Sequence, residues 1–272
     1  MGNTNDNMSQ RNWRRVVMFH ATLDSTSTWK QIVDALATLL TEVHFIVSDS
    51  GIVLRQLDSS KAAMVDLVLP AKIFQEYNCD GNYDICLGVD ELNKVSKRMA
   101  GDDRLEFRLD EDENRFEIKM IGQAQRQFKL QLLTAPDERT KKPSLEFDAK
   151  AEMFADAFKQ AVKDIGVVSS HLRISASGKT LTFTGEGDTG EAEVSMKASG
   201  DESVVFHLEV SAKPTAMYAL NYLSEIAKAM STDSLTLQFS ENKPMLLEFP
   251  IAEIGSISFI LAPRVERDRR ST

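Results

Sequence analysis

His44-Phe45-Ile46-Val47-Ser48-Asp49-Ser50-Gly51-Ile52-Val53-Leu54 and His171-Leu172-Arg173-Ile174-Ser175-Ala176-Ser177-Gly178-Lys179-Thr180-Leu181 are one pattern written twice. Both read His-x-x-(Val/Ile)-Ser-x-Ser-Gly-x-x-Leu. The copies start 127 positions apart in a chain of 272 residues. Each follows a stretch with helical spacing and leads into further alternating strand. Such an offset marks an internal repeat, so the chain reads as a duplicated domain. Duplication gives a quasi-symmetric object, which suits a ring or an extended surface better than a single catalytic pocket.

Outward from the first copy, Val16–Leu23 is strand-like, and Asp24 or Ser25 can cap a helix over Ser25–Leu40. Trp29, Ile32, Val33, Leu36, Leu39 and Leu40 recur there at helical spacing. Val43–Leu69 reads strand, turn, strand, strand, with Ser50-Gly51 and Asp58-Ser59-Ser60 as turns. A loop around Asn78–Asn82 leads to a short strand, Tyr83–Gly88. Asp90 then caps a second helix to about Met99, with Gly101 at its end. Arg104–Asp110 and Arg115–Ile121 form a hairpin, and Arg126–Leu133 is one more strand.

Thr134–Ser144 breaks the pattern. Pro136 and Pro143 flank a charged run without periodicity, the composition of an exposed linker. Then the order repeats. A helix is expected over Lys150–Ile165, strands over His171–Lys197 and Val204–Val210, and a helix from Pro214 to about Met230. Leu235–Phe239, Met245–Phe249 and Ser256–Leu261 are the last strands. Hairpin-length connections predict an α+β fold of two similar domains, each with two helices on antiparallel sheets, rather than a doubly wound parallel sheet. The expected division is 18–133 and 147–266, joined by a linker at 134–146, with an extension at 1–17 and a tail at 267–272.

Composition narrows the function. Apolar content of 42% with 27% charged residues fits a globular protein. No run of 18 apolar residues offers a spanning helix. The start is polar, without a signal-peptide core, and Asp6 breaks the myristoylation pattern. Cys79 and Cys86 fit neither a disulfide framework nor a metal or redox motif, and read as buried thiols in a reducing interior. A net charge of -9 argues against a tight sequence reader of DNA, though not against DNA as a partner of one less acidic face.

The tempting motifs have plainer readings. Gly185-Glu186-Gly187-Asp188-Thr189-Gly190 matches a dinucleotide fingerprint by letter, but a strand follows instead of a helix, and its acids repel phosphate. It reads as a hairpin turn. Gly178-Lys179-Thr180 lacks the earlier glycine of a phosphate loop. His20, His44, His171 and His207 have no partners at ligand spacing, and Asp110–Glu113 reads as a solvated hairpin tip. Nothing assembles a nucleophile, a base and an oxyanion hole, so no enzyme activity, cofactor or metal is expected. On the helix bounds above, the four helices sum to +1 and leave -10 for everything else. Helices are the least acidic part on that reading.

Leu57-Asp58-Ser59-Ser60, Leu87-Gly88-Val89, Tyr218-Ala219-Leu220-Asn221-Tyr222-Leu223 and Leu261-Ala262-Pro263-Arg264-Val265-Glu266 resemble the proliferating cell nuclear antigen family, the DNA sliding clamps of archaea and eukaryotes. The resemblance runs from about Met18 to Glu266, and the Arg-Val-Glu ending is closer to archaeal members. It implies a non-catalytic processivity factor, inside the cell on chromosomal DNA, that forms a trimeric ring around duplex DNA without sequence preference. Lys30, Lys94, Lys97, Arg98, Lys159, Lys163, Lys213 and Lys228 would face the DNA.

The resemblance also implies partners: a clamp loader, DNA polymerase, flap endonuclease and DNA ligase, each docking a short peptide. The pocket would be made by Leu57, Lys61, Leu133, Ala135, Pro244, Ile260, Ala262 and Pro263, with backbone contacts from Arg264, Val265 and Glu266. Arg139, Lys141 and Lys142 make the linker more basic than is usual in the family. Subunits would join where Arg126, Phe128, Leu130 and Leu132 of one meet Ala192, Val194 and Met196 of the next. The first 17 residues have no family counterpart, and are either a disordered arm or an overlong start with Met18 as initiator. Two other readings stay open: a clamp-like subunit of a mixed ring, and an unrelated enzyme using the glycine-rich loop.

Overall fold

The computed structural model describes residues 18–188, 190–200 and 203–264. The extension 1–17, with the first part of the expected strand, and Val265 and Glu266 with the tail lie outside the described residues. The first half runs β1 (Phe19–Leu23), α1 (Thr26–Ala37), β2 (Glu42–Ser48), β3 (Gly51–Leu57), β4 (Ala63–Pro70), β5 (Glu76–Cys79), β6 (Tyr83–Gly88), α2 (Val89–Ser96), β7 (Arg104–Asp110), β8 (Arg115–Ile121) and β9 (Gln125–Gln131). The second runs β10 (Ala149–Phe154), α3 (Ala155–Ile165), β11 (His171–Ser177), β12 (Thr180–Gly187), β13 (Gly190–Lys197), β14 (Val205–Val210), β15 (Thr215–Ala219), α4 (Leu220–Ala229), β16 (Ser234–Phe239), β17 (Met245–Ile251) and β18 (Gly255–Leu261). The element order is the same in both halves, and the repeated motif covers β2–β3 in one and β11–β12 in the other.

The strands form three antiparallel sheets. One has the order β5-β1-β7-β8-β9, another β13-β12-β11-β15, and a nine-stranded sheet, β14-β10-β16-β17-β18-β4-β3-β2-β6, runs through both halves. The halves join where β18 pairs with β4, from Ser256 opposite Val68 to Leu261 opposite Ala63. Alternation decides which face goes in. Val65 and Leu67 on β4 and Ile257 and Phe259 on β18 are fully buried. The helices cover the inner faces. Ser25 caps α1, its hydroxyl accepting from Thr28 N at 3.2 Å.

Three short strands were not expected, and two of them displace helix starts. Lys150–Phe154 lies on β10, where Ala149, Ala151 and Met153 turn inward and are buried. Met153 and Phe154 also fit the helical spacing that follows, which hid a strand of alternating small and charged residues. Pro214 leads into β15, not a helix, because Ala216 and Tyr218 are buried beside β11. β5 occupies part of the expected Asn78–Asn82 loop and pairs with β1. Gly88, not Asp90, is the residue before α2, and α2 ends at Ser96, so Gly101 lies beyond it. Asp90 sits in the first turn, where the helix dipole favours it. The glycine-rich run is the hairpin turn between β12 and β13, with Gly187 opposite Gly190.

The repeat also hides a difference. Gly51 has φ of +138° and packs so closely on β4 that a Cβ would meet Leu69 O at 2.2 Å, whereas Gly178, at +59°, has open space around it. Gly51→Ala is therefore expected to cost about 3 kcal/mol or more and Gly178→Ala about 1 kcal/mol, measured by urea denaturation. Equal losses would contradict this packing.

Candidate functional site

Three surfaces concentrate the candidate residues. On the first, α1 packs against both α2 and α4, and α4 packs against α3, so the four helices form one layer. Lys30 Nζ donates to Met99 O at 2.8 Å and Gln31 Nε2 to Ser231 O at 3.3 Å, tying α1 to the end of α2 and to the second half. Lys159 pairs with Asp156 at 3.0 Å and Lys228 with Glu225 at 2.6 Å. Lys94 and Lys163 on the helices, and Lys97 and Arg98 just past α2, are exposed. Lys213 is not on a helix; it lies in the connection from β14 to β15. Lys150 is on β10, beside Glu152 at 2.7 Å. Within the observed bounds the helices carry a net charge of -1, not +1. The positive sum depended on Lys97 and Arg98, which lie past the end of α2. Lys97 and Arg98, adjoining α2, bring the layer back to +1.

The second surface is the outer face of the nine-stranded sheet. Leu133 N donates to Cys86 O at 2.9 Å and Asp148 N to Ser240 Oγ at 2.9 Å, pinning the two ends of the linker. Between them the linker crosses the sheet. Arg139 meets Asp84 of β6 at 3.1 Å and Lys142 meets Asp66 of β4 at 2.7 Å. A cleft of about 140 Å³ lies beneath, with His44, Ile46 and Val53 on one side and Pro136, Arg139 and Thr140 on the other. Leu57 and Leu133, large apolar side chains, are each 40% exposed. Ala262 N donates to Ala62 O at 2.9 Å beside Lys61, and Arg264 N to Met217 O at 2.7 Å. Pro244, Ala262 and Pro263 share the Leu57 end of the sheet, because Met245, Leu261 and Ala63 stand in register there. Ile260 is 7% exposed, on β18, and Ala135 is half-buried at the start of the linker.

The turn carrying Lys61 is held from the other half. Asp58 Oδ1 accepts from Ala63 N at 2.7 Å, while Oδ2 accepts from Ser60 N at 3.2 Å and from the Tyr222 hydroxyl of α4 at 2.7 Å. Lys61 has φ of +58°, a conformation that this capping makes tolerable. Sequence reasoning missed Tyr222, because its partner lies 164 positions away. Burial alone would raise the Asp58 carboxyl; the donors from Ser60, Ala63 and Tyr222 outweigh it and hold the group below its ordinary range. Burial likewise opposes ionisation of Asp84, but the bond from His44, at 2.5 Å, and the Arg139 guanidinium win. His44 thus has a structural partner. Burial pushes the Cys86 thiol up to about 11, so it is not poised as a nucleophile.

The third surface is a pair of strand edges. The five-stranded sheet ends at β9 and the four-stranded sheet at β13. Phe128, Leu130 and Leu132 turn toward the core yet stay half-buried, as do Ala192 and Val194, with Met196 at 8%. The repeat offset places Ala192, Val194 and Met196 where β4 has Val65, Leu67 and Leu69. Those three are buried to 1% or less, because β18 lies beside them. β13 has no such neighbour among the described residues. Arg126 points back into its own subunit, to the Asp103 carboxylate and to Arg98 O at 2.7 Å. Val167, after α3, is 80% exposed; α3 packs on β13, and sequence gave no signal for this residue.

Among the described residues no cluster of three or more His, Cys, Asp and Glu side chains could hold a metal ion. No helix among them is long and apolar enough to cross a membrane.

Two halves of like order, sharing one continuous sheet and one helix layer, define a clamp-type architecture. A family model of the proliferating cell nuclear antigen N-terminal domain matches residues 18–135, and one of the C-terminal domain matches 141–264. The chain belongs to the proliferating cell nuclear antigen family. It is 34% identical over 240 residues to a protein of Thermofilum pendens, covering 88% of this chain and 96% of that one, and 34% identical over 249 residues to one of Pyrococcus abyssi, covering 91% and 99%. Both are described as DNA polymerase sliding clamp. A crystal structure of PCNA from Thermococcus kodakaraensis superposes with a TM-score of 0.86 at 29% identity, covering 90% of this chain and all of that one.

The Asp58 cluster makes two linked predictions. Asp58→Asn should cost about 2–3 kcal/mol at pH 7, and Tyr222→Phe about 1 kcal/mol. A depressed carboxyl stabilises above its ordinary pKa and loses that contribution as pH falls through the folded value. The Asp58→Asn penalty should therefore shrink only in acid, below the ordinary carboxylate range. Denaturant midpoints that keep the full penalty into that range would contradict the cluster.

Proposed function

We propose that this chain is a DNA sliding clamp, in which three copies close edge to edge around duplex DNA and tether replication and repair enzymes. The observation that carries this reading is the repeat-equivalence of two junctions. β18 and β9 are the last strands of their halves, and β4 and β13 hold matching places, 127 positions apart. Inside the chain β18 covers β4; between chains β9 would cover β13 in the same antiparallel way. Phe128, Leu130 and Leu132 of one copy would complete the burial of Ala192, Val194 and Met196 of the next, with Val167 beside them. Pairing also satisfies edge N–H and C=O groups that otherwise invite aggregation. Such a head-to-tail contact gives a ring when its rotation closes.

In that ring the helix layer faces the hole. Lys30, Lys94, Lys97, Arg98, Lys159, Lys163 and Lys228 would supply exchangeable phosphate contacts; Lys213, in the connection before β15, is off the helices. A nearly neutral lining suits sliding, because affinity that rests on phosphate neutralisation grows with each contact made, and enclosure needs none of it. The protein is then a non-catalytic intracellular factor that needs no cofactor and carries the activities of others. Clamp loader, polymerase, flap endonuclease and ligase would each insert a peptide's apolar anchor near Leu57, Lys61, Leu133, Ala135, Pro244, Ala262 and Pro263, over Ile260. Arg264, Val265 and Glu266 would pair with its backbone. A buried anchor dominates the energy of such a contact.

Loaded protein should stay on closed circular DNA and run off the same DNA once linearised, followed by gel filtration. Equal release from both would refute encirclement. Leu57→Ala should weaken a docking peptide about tenfold or more, in line with loss of one anchor, by fluorescence titration. An unchanged affinity would remove Leu57 from the pocket.

A further inference from the structure

Building on the docking reading above, we propose that Arg139 and Lys142 form a two-point electrostatic clasp that holds the linker across the outer sheet and so sets the groove a partner peptide enters. Both cations turn inward. The linker's partly basic sequence is therefore not a basic surface offered to partners. Lys142 Nζ lies 2.7 Å from Asp66 Oδ2, and Asp66 is 2% exposed. Arg55 takes the other oxygen of Asp66, with Nε at 3.0 Å and a terminal nitrogen at 2.9 Å. An aspartate this deep resists losing one of its two cations, because a buried carboxylate must stay compensated. Arg139 reaches both oxygens of Asp84, at 3.1 and 3.2 Å, while His44 holds Asp84 from within the sheet.

Nothing else fixes the middle of the linker as firmly. Between its pins at Leu133 and Asp148 it makes no backbone–backbone hydrogen bond among the described residues. The chain must nevertheless cross from β6 to β16, past β2, β3, β4, β18 and β17. The clasp points fall on β6 and β4, so they fix both the path and the height of the crossing. The closed clasp roofs the cleft over Ile46 and Val53 and confines a partner's anchors to the apolar surface around the exposed Leu57. Released, the linker would expose that floor and would have to be ordered again by each arriving peptide, which costs affinity. Arg139 and Lys142 are thus positioning residues that need not touch the partner.

The experiment compares wild type with the Arg139→Gln/Lys142→Gln double variant in the full chain. Both side chains are about half exposed, at 55% and 47%, so the fold should survive. One readout is the backbone amide order parameters of residues 138–142 by NMR. The other is titration with a synthetic dodecapeptide that has one aliphatic and two aromatic anchors and no charged side chain. The variant should lose order in this segment alone, from about 0.85 to below about 0.6, and bind the peptide about five- to tenfold more weakly at low salt. Raising salt should weaken wild-type binding by about twofold and leave the variant unchanged, since screening loosens the exposed Arg139 pair and reaches the buried Asp66 far less. Lys142→Arg with Arg139→Lys should restore wild-type behaviour. Unchanged order parameters, or an affinity within about twofold of wild type at the same low salt, would overturn the proposal. If wild type fails to bind the peptide at all, the docking reading falls and the groove-setting role with it; the order parameters still decide whether the clasp holds the linker.

Discussion

Antiparallel pairing between a terminal strand of one half and the matching inner strand of another is the contact on which this architecture rests. Within the chain it joins β18 to β4 and turns two domains into one nine-stranded sheet. Val65, Leu67 and Leu69 show what the contact does to side chains: with a neighbour in place they are sealed from water. The repeat carries the same positions to Ala192, Val194 and Met196, on a strand whose outer edge has no partner among the described residues. β9 and β13 are two of the six sheet edges among the described residues, and they are the two that the repeat matches to the β18–β4 junction. Apolar area buried and backbone groups satisfied by a second copy there would act together.

Electrostatics refine the picture more than they create it. An acidic chain could surround DNA on a strongly basic lining, but the helix layer is close to neutral, and Lys159 and Lys228 are matched by carboxylates one turn away. Exposed ion pairs of this kind contribute little to stability; they hold cationic heads on the layer without building a strong field. Charge is concentrated instead where it fixes geometry. Asp58 ties the turn that carries Lys61 to α4 of the other half, and Asp66 and Asp84 tie down the linker. The outer face is thus joined to the helix layer at Asp58 and to the linker at Asp66 and Asp84.

Much of this was legible in residue order. The doubled motif reported the duplication, hairpin spacing reported antiparallel sheets, and the two-proline stretch reported the linker. The second-half strands before helices, β10 and β15, were not legible, because Met153 and Phe154 satisfy two periods at once and a Pro at 214 serves a strand start as well as a helix start. That error moved Lys150 onto a helix with Glu152, at no net charge; the layer seemed more positive because α2 ends before Lys97 and Arg98. The inward turn of Arg139 and Lys142 was equally hidden. Their partners are far along the chain, and only the fold brings them together. Leu57 and Leu133 were found by resemblance, and their exposure is consistent with an anchor site; Tyr222 and Val167 needed the structure.

The mass of the purified protein in solution, by sedimentation equilibrium at micromolar concentration, tests ring closure most directly. Edge-to-edge closure predicts a single species of three chains of 30.4 kDa each. A species of one chain, with β9 and β13 left open to water, would contradict it.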